Sequence, residues 1–324
     1  MIRNSKILIT GAAGFIGFHL SKFLASEPSN IVWMLDNFAR GERDKDLEEL
    51  LSFSNVKFLE IDLSIDELDL PSVDYVFHLA SINGTENFYS RPFEVVEAAI
   101  LPTLRILRFY KGSNVGRFLL TSTSEVYAGA IETGLSQIPT PETTPLVIND
   151  PRNMRWSYAA GKIAAEMATL AAAKQYGLPA TIIRFHNVYG PRMGNQHVIP
   201  EFIDRIKKSD FRLFGAENTR SFIYIADAVA ATAAAATTDT LGEIVHIGTE
   251  DEVTIEKLAQ EIMLISGIDG SLQKHKAPEG SVSRRCPDTT VLKQVVGFSP
   301  KITLREGLTL TIAHYAITST KSET

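Results

Sequence analysis

Short apolar runs recur along the first half of the chain, each followed by a turn and then a stretch with helical spacing. "KILIT" (Lys6–Thr10), "IVWMLD" (Ile31–Asp36), "VKFLEID" (Val56–Asp62), "YVFHLAS" (Tyr75–Ser81), "RFLLTST" (Arg117–Thr123) and "ATIIRFHNVYG" (Ala180–Gly190) read as six strands. Runs this continuously apolar have no face to offer water, which predicts a sheet covered on both sides. Between them, "GFHLSKFLAS" (Gly17–Ser26), the stretch Pro92–Gly112 and the Ala-rich Ser157–Gly177 read as helices. Pro102 is an expected kink and Gly177 an expected stop. Strand and helix in alternation predict an α/β fold with a doubly wound parallel sheet.

After Gly190 the alternation weakens. "VIPEFIDRIKKS", "SFIYIADAVAATAAAA" and "TIEKLAQEIMLISG" read as helices in whole or part, and "EIVHIG" (Glu243–Gly248) as a strand. The expected division is a sheet domain over residues 1–190 and a smaller α/β lobe over 191–324, with some return to the sheet.

Bulk properties narrow the function classes. The 324 residues are 44% apolar and 22% charged, ordinary for a folded chain of one large or two smaller units. A net charge of −6 without a basic block argues against nucleic acid or an anionic membrane as partner. No apolar run reaches the roughly 18 residues of a membrane span. Arg3 and Lys6 before an apolar stretch mimic a signal peptide, but a strand and a glycine turn explain that stretch better. The single cysteine, Cys286, excludes a disulfide framework and a cysteine zinc site; no metal site is expected, and a reducing, cytoplasmic setting fits.

In sheets of this kind ligands bind beyond the carboxyl ends of the strands, and that is where the chemistry-bearing residues fall. "TGAAGFIGFHL" spaces Gly11, Gly14 and Gly17 between a strand and a helix, with Phe15 and Ile16 in the same turn. Such a turn lets a pyrophosphate approach the backbone at a helix N-terminus. Asp36, with Asn37 beside it, ends the second strand 19 residues past Gly17. A carboxylate there holds ribose hydroxyls and repels a 2′-phosphate, favouring NAD over NADP; Arg40 is the one nearby group that would favour the phosphate. Asp62, next to Leu63, either reaches the adenine edge or caps the turn before "SIDEL".

Tyr158 and Lys162 stand four apart at a helix start, hence on one face about 6 Å apart. An ammonium and a positively charged nicotinamide both favour the phenolate, which then takes a proton from a sugar hydroxyl. Thr123 faces the same crevice from the end of the fifth strand, where it either shares the reacting oxygen or bonds backbone.

At this point the chain resembles a family. "TGAAGFIG", "DNFARG", "HLAS", "STSEVYA", "YAAGK", "RFHNVYGPR" and "RSFIYIADAV" occur in the order found in the extended short-chain dehydrogenases/reductases, the NAD-dependent nucleotide-sugar epimerases and dehydratases, with "RRCPD" near the C-terminus. The resemblance spans about residues 5–300. It implies a Rossmann-type sheet, bound NAD, oxidation of a nucleoside-diphosphate sugar at C4, and a homodimer formed through the helices at 92–112 and 157–176. Carried over, Thr123, Tyr158 and Lys162 are the oxidation residues. Leu79, Ala80 and Ser81 line the nicotinamide side, and Ser124, Asn187, Val198, Arg220 and Arg285 contact the substrate. Two positions depart from the family: Ala99 replaces its asparagine, and Gly161 its serine in the Tyr-x-x-Ser-Lys run.

A 4-keto sugar has three fates: epimerisation, loss of water across C5–C6, or loss of a C6 carboxyl as carbon dioxide. Glu125, two residues past Thr123, bears on the choice. Thr-Ser-Glu there resembles UDP-glucuronate decarboxylases and some 4,6-dehydratases, and Arg155-Trp156 ahead of Tyr158, with "RRCPD", resembles the decarboxylase branch. Capping a turn or pairing with an arginine is the plainer role for Glu125. Plain 4-epimerisation and a non-catalytic NAD(H)-binding sensor or scaffold are the competing functions.

Overall fold

The computed structural model describes residues 2–194, 197–239, 241–277 and 282–321. In chain order the first half comprises β1 (Lys6–Thr10), α1 (Phe15–Ala25), β2 (Ile31–Asp36), α2 (Lys45–Leu51), β3 (Val56–Glu60), β4 (Tyr75–His78), α3 (Thr85–Ser90), α4 (Pro92–Tyr110), β5 (Arg117–Thr123), α5 (Ala128–Glu132), α6 (Ser157–Tyr176) and β6 (Ala180–Phe185). There follow β7 (Val188–Tyr189), α7 (Val198–Lys207), β8 (Arg212–Phe214), β9 (Thr219–Ser221), β10 (Ile223–Tyr224), α8 (Ile225–Thr237), β11 (Ile244–Ile247), β12 (Glu252–Thr254), α9 (Ile255–Ser266), β13 (Gln273–His275), β14 (Arg284–Arg285), α10 (Thr290–Gln294) and α11 (Leu304–Lys321).

Seven strands form one parallel sheet in the order β11-β6-β5-β4-β1-β2-β3. Side chains alternate across it: Ile7 and Ile9 of β1 join the core shared with α1 and α8, while Leu8 joins the one under α4 and α6. Both faces are therefore dry, as the continuous apolar runs require. Chain order reverses between β1 and β4, and the carboxyl ends of those strands open onto a long crevice.

The seventh strand comes from the second half, where β11 pairs in parallel with β6, and α8 packs on α1. The rest of that half forms small sheets: β10 with β7, β9 between β12 and β14, and β13 with β8. The stretch after Arg220 is thus two short strands before α8, rather than helix throughout. α4 continues through Pro102, and α6 ends at Gly177 in the left-handed region (φ 69°). Among the described residues no helix is long and apolar enough to cross a membrane.

Candidate active site

One cavity of about 1100 Å³ runs along the carboxyl ends of β1, β2, β4, β5 and β6. Gly11, Gly14, Phe15, Ile16, Gly17, Asp36, Asn37, Asp62, Leu63, Leu79, Ala80 and Ser81 line one end of it; Thr123, Ser124, Glu125, Tyr158, Lys162, Asn187 and Arg285 also line it. Of the residues expected from sequence, only Val198 and Arg220 do not.

The glycine turn is built by close approach. Gly11 has φ +68°, and a Cβ on it would stand 2.8 Å from the Ala80 nitrogen. A Cβ on Gly17 would drive into the Gly11 carbonyl. α1 starts at Phe15, two residues earlier than the spacing suggested, and its N-cap, Gly14, has no side chain to cover the first N–H groups. They are left for an anion. Asp36 braces the turn, accepting from the Ala13 N–H (2.9 Å) and the Phe38 N–H (2.8 Å). Burial raises its pKa against those hydrogen bonds. Thr10, fully buried, accepts from the N–H groups of Leu79 and Ala80 and so fixes the opposite wall. Sequence reasoning missed it because its hydroxyl ends an otherwise apolar strand.

Asp62 does what a turn cap does, accepting from the Ser64 N–H (2.7 Å), and also accepts from Asn37 Nδ2 (2.9 Å). Arg40 also lines the cavity, and its guanidinium donates to Asn83 Oδ1 in the loop after β4.

Tyr158 is buried, its ring stacked on Phe88 of α3 at 5.4 Å. Lys162 Nζ donates to the Thr121 carbonyl (3.0 Å). Burial lowers its pKa to about 8 against the pull of Glu166. The Tyr158 phenol is pushed up, first by burial and then by the Glu125 charge, while the Arg40 charge pulls it down. Lys162 is thus turned toward the β5 backbone while lining the same cavity as Tyr158. Thr123 Oγ1 accepts from the Glu125 N–H (3.2 Å), so it bonds backbone as well as facing the cavity.

Glu125 sits between two arginines. Its Oε2 accepts from Arg155 Nη2 (2.6 Å) and its Oε1 from Arg285 Nη1 (2.5 Å). Burial alone would raise its pKa; the two guanidinium groups overcome that and hold it near about 2. Arg155 Nη1 and Arg285 Nε are buried without partners. Arg220, on β9, lies close enough for its charge to couple to both Arg285 and Glu125. Two cations thus hold one carboxylate, with the charge of a third nearby.

Two of the expected substrate contacts do not line the cavity. Arg220 gives its guanidinium to the carbonyls of Thr219, Val282 and Ser283, which turns it off the cavity. Val198 opens α7 and packs against the core; its neighbour His197 lines the cavity instead. Asn187 lines the cavity in a left-handed conformation (φ 40°) and donates to the Ser221 carbonyl (2.9 Å). Tyr127 faces away, bonded to Arg184 and to His246 Nε2 (2.7 Å) beside the buried Arg184–Glu166 pair, a structural role.

The family model described as "NAD dependent epimerase/dehydratase family" matches residues 7–248. The chain is 36% identical to UDP-N-acetyl-alpha-D-glucosaminuronate decarboxylase of Bacillus cytotoxicus over 95% of this chain and 97% of that one. It is 32% identical to UDP-glucuronic acid decarboxylase 1 of Arabidopsis thaliana over 94% of this chain and 68% of that one. Its backbone superposes on the UDP-glucuronic acid 4-epimerase of Bacillus cereus, solved with UDP-glucuronic acid and NAD, with a TM-score of 0.86 at 26% identity, covering 97% and 99% of the two chains.

Proposed function

Given that the chain belongs to the NAD dependent epimerase/dehydratase family, we propose that it decarboxylates a UDP-linked hexuronate with NAD as its redox partner. The carrying observation is the excess of positive charge around Glu125, just beyond Thr123 in the cavity wall. A neutral hexose has no use for it; a C6 carboxylate does. The relatives named above act on, or were solved with, uronates.

The residues fit a dinucleotide. The α1 N-terminus is uncapped by any side chain, Asp36 stands at the end of β2, and the cavity continues without a break to Tyr158 and Arg285. NAD, when bound, takes the hydride from sugar C4 and later returns it. The phenol oxygen of Tyr158, as phenolate, takes the C4 hydroxyl proton, and Thr123 Oγ1 shares that oxygen. Arg285, with a free Nε, holds the C6 carboxylate. Once C4 is a ketone, the C5–C6 bond breaks heterolytically, carbon dioxide leaves, and its electron pair stays on C5 as the enolate. A proton delivered to C5 then restores the ketone. This route needs no base at C5. Dehydration does, and a carboxylate held near about 2 is a weak one, so the Glu125 environment favours decarboxylation over loss of water.

The test is product mass. UDP-glucuronate and its 2-acetamido counterpart are each expected to lose carbon dioxide, while UDP-glucose is returned unchanged. An isomer of unchanged mass from either uronate would make plain epimerisation the function. The same reading includes a homodimer through α4 and α6, whose Phe93 (75%) and Met167 (63%) are strongly exposed, and work in the cytoplasm, consistent with the unpaired Cys286.

A further inference from the structure

We infer that His78 is a positioning residue for the cavity wall opposite the glycine turn, which it holds through the Thr10 hydroxyl, an inference that rests on the dinucleotide reading of the cavity above. His78 ends β4, is fully buried and is not part of the cavity lining. Any effect it has on the site must pass through its partners. Thr10 Oγ1 lies 2.8 Å from Nδ1 of its ring, and Thr103 Oγ1, on α4, lies 3.0 Å from Nε2. Thr103 in turn bonds the Ala99 carbonyl one helical turn earlier (2.9 Å). Both threonines are buried as completely as the ring between them.

The direction of each bond follows from what its ends can do. A hydroxyl has one hydrogen and two acceptor positions. Thr10 Oγ1 already accepts from the N–H groups of Leu79 (3.1 Å) and Ala80 (3.2 Å), so its contact with Nδ1 is a donation. At the far end the Ala99 carbonyl can only accept, so Thr103 gives its hydrogen there and takes one from Nε2. Both ends demand the same ring, neutral and with its hydrogen on Nε2. Burial agrees with this: together with the Lys162 charge it lowers the His78 pKa to about 3.

The chain of bonds fixes the wall. With its hydrogen claimed by Nδ1, the Thr10 hydroxyl turns both acceptor positions to Leu79 and Ala80 and cannot rotate away. The Leu79 N–H is also held by the Thr10 carbonyl (3.1 Å). Gly11 leaves little slack on the other side, since a Cβ there would stand 2.8 Å from the Ala80 nitrogen. The His78 carbonyl accepts from the Thr121 hydroxyl (3.1 Å), and the Thr121 carbonyl from Lys162 Nζ (3.0 Å). The same residue therefore ties the wall to the lysine of α6.

Two substitutions separate the two ends of the ring. The side-chain carbonyl of Asn puts an acceptor where Nδ1 stands, and the longer Gln amide reaches the place of Nε2 and donates to Thr103. His78→Asn therefore keeps Thr10 locked and gives up Thr103, while His78→Gln does the reverse. Gln is nearer to His in volume, so packing alone ranks Gln as the milder change; the inferred role ranks Asn as the milder. In His78→Gln the dissociation constant for NAD is expected to rise about tenfold, and the Leu79 and Ala80 amides to exchange with solvent about tenfold faster. In His78→Asn both readouts are expected to move by no more than about threefold, whatever happens to Tm. Thr103→Val, which keeps the ring and frees only its far end, is expected to follow Asn. A Gln variant no worse than Asn in either readout overturns the inference, as does a hydrogen on Nδ1 in the nitrogen NMR spectrum of the unsubstituted protein. Should the unsubstituted protein bind no NAD, the dinucleotide reading fails, and the amide exchange ranking still decides whether His78 sets the wall.

Discussion

Glu125 was legible from sequence as a polar residue at a costly place, the end of a buried strand. Its partners were not. Arg155 and Arg285 lie 30 and 160 residues away, and nothing in spacing joins three positions that only the sheet brings together. The plain role, pairing with arginine, is present in the structure, and it is also what makes the site cationic. Its pKa lies near about 2, below the ordinary 4.5, so the stabilisation is fully present above pH 4.5 and fades as pH falls toward 2. A shift of that size corresponds to something on the order of 3 kcal/mol. Glu125→Gln is therefore expected to lower Tm at neutral pH and to flatten the loss of stability between those two values in an acid titration. On activity, bound NADH still forms in Glu125→Gln, since Thr123 and Tyr158 remain. Carbon dioxide release slows by about tenfold or more, because the amide no longer holds Arg155 and Arg285 in place. Wild-type behaviour in both assays would leave Glu125 as a cap alone and move epimerisation ahead.

Among elements, the long ones were legible and the short ones were not. β5 spans the expected Arg117–Thr123, and α6 runs Ser157–Tyr176 with Gly177 after it, because five or more apolar residues, or several turns at one spacing, leave a strong pattern. α2 and α3 have seven and six residues, too few for a period, and "NGTENF" carries turn chemistry rather than an apolar face. The two family departures find their reason at this scale. A Cβ on Gly161 would meet the Ala99 Cβ at 2.8 Å, so the small pair sets how closely α6 lies on α4. Gly161→Ser alone restores the family residue and is expected to destabilise by about 1–3 kcal/mol through overpacking. In a double-mutant cycle with Ala99→Gly the combined loss is expected to fall short of the sum of the single losses, read as Tm and denaturant midpoint. Strict additivity would mean that the two positions do not touch.

For the whole molecule, the sheet was readable but its closure was not. The second half returns β11 to the sheet beside β6 and lays α8 on α1, so the crevice has a far wall drawn from beyond residue 190. Among the contacts that tie that wall to the first half is an ion pair beside the glycine turn. Arg192, after β7, pairs with Asp44, which also caps α2 by accepting from the Leu47 N–H (2.9 Å). Burial opposes ionisation of Asp44, but the Arg192 hydrogen bond holds its pKa down. The guanidinium lies 4.0 Å from the centre of the Phe18 ring on α1, and Tyr315 of α11 donates to the carbonyl of the next residue, Met193. Asp44, Arg192 and Tyr315 all line the cavity, beside the turn proposed to hold the dinucleotide. An ion pair with one half-exposed partner is worth only about 1 kcal/mol, so losing it should barely move Tm. The same energy acts on opening of the crevice, where it corresponds to roughly a fivefold faster escape of NAD. Arg192→Met, which keeps apolar bulk over Phe18, is expected to lose NAD on gel filtration where the unsubstituted protein retains it, with Tm nearly unchanged. If release is no faster, the dinucleotide is held by the glycine turn and Asp36 alone, and the Arg192–Asp44 pair only joins the two halves of the fold.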